Sequence, residues 1–240
     1  MTYRSSYDRL VLWDIDFTLL NPGGFGRTAM LTAFEELFGF PMQADVPGHG
    51  RTDRAILTDF LEHGGIPVER VGDLRRRAAE VAEARAAEFA AGGGHLLDGA
   101  HGALAALAEL PGTVQSVLTG NLRRIGGVKL SAVGLTDHLD LEVASFGDDH
   151  LVRAELVEVS RQLAAARYGA AVDAGAVVLV GDTPLDVEAA HAAGARAVGV
   201  ATGAYTEADL TAAGAHAVVP DLRDATALAK AVASVTARRP

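Results

Sequence analysis

Leu10-Val11-Leu12-Trp13-Asp14-Ile15-Asp16-Phe17-Thr18-Leu19-Leu20 decides the reading of this chain. The apolar run at its start has the character of a strand buried on both faces. It ends in two aspartates two residues apart, followed by a threonine. Alternate residues of an extended chain share a face, so Asp14 and Asp16 can project together from the strand end. Two carboxylates so placed repel unless a cation or a shared proton neutralises them. That points to a metal, with one carboxylate a nucleophile and the other a proton donor. The plainer alternative is one aspartate capping a turn and the other solvated.

Two later stretches repeat the design. Val117-Leu118-Thr119-Gly120-Asn121 closes an apolar run with a hydroxyl, a glycine and a helix start. Val177-Val178-Leu179-Val180-Gly181-Asp182-Thr183-Pro184-Leu185-Asp186 closes another with two more acids. With these three segments in this order, each after a strand-like run, the chain resembles the haloacid dehalogenase-like (HAD) hydrolase superfamily over nearly its whole length. The resemblance implies an α/β fold in which a Rossmann-like parallel sheet core carries an inserted all-helical cap.

Composition sets the outer bounds. The chain has 240 residues, 49% of them hydrophobic, enough for a packed fold of one large domain or a core plus an insert. A net charge of −10 argues against nucleic-acid and membrane-surface partners, but not against a small anionic substrate held in a cleft. The absence of cysteine excludes disulfides, thiolate metal sites and a cysteine nucleophile. Residues 1–6 lack the apolar core of a signal peptide, and no apolar run approaches the ~20 residues of a membrane span. The expectation is a cytoplasmic protein.

The elements follow from periodicity and punctuation. A strand is expected over 9–13 and a loop over 21–26. Helices are expected over 27–38, 53–63 and 68–91, with no good strand between them. An all-helical block inside an alternating chain predicts a cap over 21–97 inserted into a core made of 1–20 and 98–240. Beyond it, helices are expected over 102–110, 121–133, 153–168 and 224–238, with others capped by Thr183 and Thr206. Strands are expected over 114–118, 141–146, 176–180, 197–201 and 216–219. Strands separated by helices make a parallel sheet with right-handed crossovers.

Ligands of open parallel sheets bind at the carboxyl ends of the strands. That topology gathers Asp14, Asp16, Thr119, Asp182 and Asp186 on one rim. Four carboxylates there call for a divalent cation, and hard oxygen donors without thiols suit Mg²⁺. The resemblance implies the roles. Asp14 attacks phosphorus and becomes an aspartyl-phosphate. Asp16 protonates the leaving oxygen, then activates water, and lends its backbone carbonyl to the metal. Thr119 and the backbone N–H groups of Gly120 and Asn121 hold phosphate oxygens at a helix N-terminus. Asp182 ligates Mg²⁺ and Asp186 supports it, so the expected metal set is Asp14, Asp16, Asp182 and Asp186. Thr119 as an ordinary cap, and Asp182 as a residue that merely precedes a helix, are the plainer alternatives.

The chain departs from the family pattern twice. Phe17 stands where the family often has glycine, and the lysine often found after the third strand is missing from Gly147-Asp148-Asp149-His150-Leu151-Val152-Arg153. The chain has two lysines, Lys129 and Lys230. Lys129, eight residues past Asn121, is the expected active-site cation. Arg153 is its competitor, and about 12 Å of helix between Asn121 and Lys129 counts against the lysine. The loop 48–53 resembles one that reaches the active site in phosphoglycolate-phosphatase-like members. Arg51 on it is expected to set substrate specificity, with a solvated arginine as the alternative. His49, His95 and His150 lack ligand-like spacing. The expected activity is Mg²⁺-dependent hydrolysis of a small phosphorylated metabolite, a phosphomonoester. The rivals are a sugar-phosphate mutase of the same fold and a non-catalytic acidic receiver or binding module phosphorylated on Asp14. Asp16 counts against the receiver, because a base beside an aspartyl-phosphate shortens its life. The lack of lysine in 21–97 counts against a phosphonatase.

Overall fold

The computed structural model describes residues 7–169 and 171–236. The N-terminal reading of residues 1–6 and the last two residues of the helix expected over 224–238 lie outside them. In chain order the strands are β1 (Arg9–Trp13), β2 (Leu20–Asn21), β3 (His95–Leu96), β4 (Thr113–Val117), β5 (Val177–Gly181), β6 (Arg196–Val200) and β7 (Ala217–Val219). The helices are α1 (Phe25–Phe38), α2 (Asp53–His63), α3 (Val71–Ala84), the single turn α4 (Ala86–Glu88), α5 (Ala100–Ala108), α6 (Arg123–Ala132), α7 (Arg153–Tyr168), α8 (Pro184–Ala192), α9 (Glu207–Ala212) and α10 (Ala225–Thr236). Among the described residues no helix is long and apolar enough to cross a membrane.

Five strands form one sheet in the order β4-β1-β5-β6-β7, every pair parallel. This is the parallel α/β core that the strand–helix alternation predicts. Side chains alternate across a strand, so β1 and β5 feed two cores at once. Val11, Trp13, Val178 and Val180 face a layer that includes α5, α6 and α10. Leu10, Leu12, Val177 and Leu179 face α7, α8 and α9. Burial on both faces explains why these strands read as continuous apolar runs.

Registration of β1 between β4 and β5 places the site. Trp13 pairs with Val117 on one side and Val180 on the other. The next backbone bonds run from the Asp14 N–H to the Val180 carbonyl (2.9 Å) and from the Leu118 N–H to the Trp13 carbonyl (2.9 Å). Asp14, Thr119 and Asp182 therefore emerge from three adjacent strand ends.

Two expectations give way. The strand expected over 141–146 does not form. The Asp140 side chain accepts from the Glu142 N–H (3.1 Å) and turns Leu141–Val143 into a 3₁₀ turn. What remains is one bridge, Leu118 to Ser145. The long helix expected over 68–91 is broken. A 3₁₀ turn at Val68–Arg70 leads into α3, which ends at Arg85, and the chain then runs through α4 into a π turn, Phe89–Gly93. Gly92 there takes φ +122°, a backbone setting open to glycine. The helices α1–α3 sit between the short antiparallel pair β2 and β3, where Leu20 pairs with Leu96 and Asn21 with His95. The chain thus leaves the core and returns to it through neighbouring strands.

Candidate active site

The turn after β1 is tight and strained. Phe17 takes φ +59°, the left-handed region, and is the one non-glycine residue with positive φ among the described residues. Such a setting costs a bulky residue about 1–2 kcal/mol. The turn is held by bonds from the Phe17 N–H to the Leu20 carbonyl (2.7 Å) and from the Thr202 hydroxyl to the Phe17 carbonyl (2.6 Å). The missing glycine thus leaves the turn intact. The Phe17 ring lies 5.9 Å from that of His49, a residue without ligand-like spacing in the sequence.

The two first-strand acids each meet a different cation. Arg153, at the start of α7, lies 2.7 Å from Asp14 and 2.5 Å from Asp186, through its Nη2. Lys129 is fully buried, and its Nζ donates to both Asp16 oxygens (2.7 and 2.6 Å) and to the Asn121 side-chain oxygen (2.6 Å). The two positive groups read as competitors are both present, one per aspartate. Lys129 reaches the site because helical side chains lean toward the N-terminus. Moreover α6 begins at Arg123, so the span along its axis is about 9 Å rather than 12.

The acids of the first and third motifs converge. One carboxylate oxygen from each of Asp14, Asp182 and Asp186 lies within 4.8 Å of the others, and all three residues are buried. Burial, with repulsion from Asp186 and Asp16, pushes the Asp14 carboxyl up to about 7 against the opposing pull of Arg153. Burial, then Asp14 and Asp186, pushes Asp182 up to about 8. Asp182 Oδ2 is buried without a hydrogen-bond partner. An orphaned buried oxygen beside two more carboxylates fits a hard divalent cation such as Mg²⁺. The Asp16 carboxylate, turned to Lys129, lies outside this trio, and its expected share in the metal is its carbonyl oxygen. Gly203 is required beside the trio, since a Cβ there would come within 1.8 Å of Asp182 Oδ2. Asp186 also completes a capping box with Thr183, whose side chain accepts from the Asp186 N–H.

The turn at Thr119–Asn121 differs from its expectation. Thr119 is fully buried, and its hydroxyl oxygen accepts from the Asn121 side chain (2.8 Å) and backbone N–H (3.3 Å). The helix starts later than expected, and its first N–H groups are engaged. Leu122 N–H donates to Asp53 Oδ2 (2.8 Å), and Arg123 N–H donates to Asp148. Gly120 is pressed against the cap-side loop, where a Cβ would come within 2.0 Å of the Arg51 carbonyl oxygen. Asp53, which reads in sequence as a simple helix start, proves a buried acid of the site wall. Burial pushes it up to about 6, against the pull of Lys129. Its sequence signals are its place directly after the capping Thr52 and at the end of the loop 48–53, which resembles one that reaches the active site.

Asp14, Asp16, Asp53, Thr119, Arg153 and Asp182 border a cavity of about 620 Å³ that reaches from the strand ends to α1 and α2. Arg51 borders it with its charge engaged by Asp59 (2.8 Å) and a bond to the Pro47 carbonyl (3.1 Å).

Residues 157–225 match the HAD-hydrolase-like family model. No curated protein matches the chain. Among solved structures, CbbY from Rhodobacter sphaeroides in complex with phosphate is similar at 21% identity and TM-score 0.69, over 90% of this chain and 96% of that one. A hydrolase from Pseudomonas syringae is similar at 20% identity and TM-score 0.67, over 92% and 97%. A predicted phosphoglycolate phosphatase from Haemophilus somnus is similar at 17% identity and TM-score 0.64, over 92% and 97%. These likenesses bear out the resemblance read from the three motifs. The chain therefore shares its fold with these proteins along nearly all its length, and its residues 157–225 match the HAD-hydrolase-like family model.

Proposed function

We propose that the chain is a Mg²⁺-dependent phosphatase that hydrolyses a small phosphomonoester through phosphorylation of Asp14. The observation that carries this reading is the pairing of two carboxylates with two cations at the end of β1: Asp14 with Arg153, and Asp16 with Lys129. Asp14, Asp182 and Asp186 would hold the cation, which supplies charge neutralisation for the transferring phosphoryl group. Arg153 keeps Asp14 aimed and opposes its protonation, so the nucleophile remains available in a buried site. The Asp14 oxygen forms the bond to phosphorus as the ester oxygen leaves. Asp16 stands beside it to give that oxygen a proton and later to take one from the attacking water. Lys129 and Asn121 fix the Asp16 carboxylate for both tasks. Thr119 and the Gly120 backbone offer donors to the phosphoryl oxygens.

The division into a core (1–20 and 98–240) and a cap (21–97) belongs to this proposal, as does a cytoplasmic setting. The cap would cover the reaction from water, and Arg51 would tune substrate choice by shaping the loop held to Asp59. The test is hydrolysis of p-nitrophenyl phosphate. EDTA should abolish it and Mg²⁺ restore it, and Asp14→Asn and Asp16→Asn should each lose about 10²-fold or more in kcat while folding normally. Full turnover in metal-free enzyme, or near-normal turnover by Asp16→Asn, would overturn the reading.

A further inference from the structure

Three arginines border the cavity, and two are committed. Arg153 is held by Asp14 and Asp186, and Arg51 by Asp59 at 2.8 Å. Arg27, on the first turn of α1, is placed differently. Its closest carboxylate is that of Asp45, at 4.0 Å and fully exposed to solvent. One Nη1 hydrogen goes to the Val46 carbonyl (2.7 Å), and the guanidinium lies over the buried Phe60 ring, 5.1 Å from its centroid. A guanidinium carries five N–H donors in a rigid fork. One carbonyl and one aromatic face fix its plane and leave several donors unspent. Met30, Val46, Pro47 and Ile56 give the cavity apolar lining as well, and 32% of the Arg27 side chain remains accessible. A fork-shaped donor so placed can grip an oxyanion with two parallel bonds.

Its place along the cavity gives this a direction. The preceding residue, Gly26, packs against the phosphate side, where an added Cβ would lie 3.4 Å from Lys129 Nζ and 3.8 Å from Asn121 Oδ1. Arg27 thus begins one residue from the Lys129–Asn121 pair and extends toward the cap loop at Val46. A volume of about 620 Å³ exceeds what a phosphoryl group alone needs and leaves room for an organic body.

We propose that Arg27 reads an oxyanion at the end of the substrate remote from the transferred phosphoryl group. The inference rests on the phosphatase reading and narrows it to phosphomonoesters with an acidic tail. The shared chemistry is the oxyanion, which a carboxylate or a second phosphate can supply.

The experiment measures binding without turnover. Asp14→Asn protein with Mg²⁺ is titrated by calorimetry with a length series of O-phosphorylated hydroxy acids of two to five carbons. Each is paired with the alcohol in which CH₂OH replaces the carboxylate, and α,ω-bisphosphates of the same lengths form a third arm. The expected result is at least about tenfold tighter binding of the acid or of the bisphosphate than of the alcohol at the best length. Adding Arg27→Gln should bring that ratio to about one, and Arg27→Lys should restore part of it. Thermal melts of both variants confirm folding. A ratio near one without the Arg27 change, or a preference that survives Arg27→Gln, overturns the inference. Failure of the wild type to hydrolyse any phosphomonoester overturns the phosphatase reading instead, and the binding ratios still judge Arg27.

Discussion

Loading the metal site with Mg²⁺ should expel protons. In the metal-free protein burial and mutual repulsion push Asp182 up to about 8 and Asp14 to about 7. At pH 7 a group titrating near 8 is roughly nine-tenths protonated, and one near 7 about half. Both must be ionised to hold the cation. Binding at pH 7 should therefore release about one and a half protons per ion, approaching two at pH 6 and close to none above pH 9. Mg²⁺ affinity should accordingly rise about 25-fold per pH unit near neutrality and level off above about pH 9. Both carboxyls have folded pKa values above their unfolded ones. Their contribution to metal-free stability is then fully present at low pH and is lost as pH rises from about 4 toward 8, and Mg²⁺ restores the loss. Isothermal titration in buffers of different ionisation enthalpy measures the released protons directly. Buffer-independent heats, with affinity flat from pH 6 to 8, would refute the buried acid trio as the metal site.

Other consequences follow from the same geometry. Arg153→Met and Lys129→Met should each cost about 10²-fold or more in kcat, since each strips the partner from one first-strand aspartate; steady-state kinetics on p-nitrophenyl phosphate reads both, and a wild-type rate in either removes that cation from the machinery. Phe17→Gly relieves a left-handed backbone at a gain of about 1 kcal/mol but deletes the ring beside His49; its melting temperature should hold or rise while KM rises, and a large fall in melting temperature would show the ring to be structural.

The strand ends were readable because buried parallel strands announce themselves as unbroken apolar runs. Once Leu10–Trp13 and Val177–Val180 are adjacent, register alone brings Asp14 and Asp182 together. The Thr183 cap was readable because capping is local chemistry. The cation assignment was half readable. Lys129 is expected from the sequence although about 12 Å of helix counts against it, and the lean of its side chain and the start of α6 at Arg123 close that gap. Arg153 was legible as a candidate but not as the partner of Asp186. Residues 141–146 failed as a strand because one side-chain bond from Asp140 outweighs their apolar pattern. The roles of Asp53 and Arg27 are not legible in sequence because they depend on what packs against them: the α6 start for one, the Phe60 ring and Val46 carbonyl for the other.

The central claim is that Asp14 carries the phosphoryl group. Rapid acid quench of enzyme turning over p-nitrophenyl phosphate with Mg²⁺, followed by peptide mass spectrometry, tests it most directly. The account predicts a phosphoryl adduct on the peptide containing Asp14, convertible to homoserine at that position by borohydride and lost in Asp14→Asn. Turnover at full rate with no adduct on Asp14, or an adduct on another residue, would contradict it.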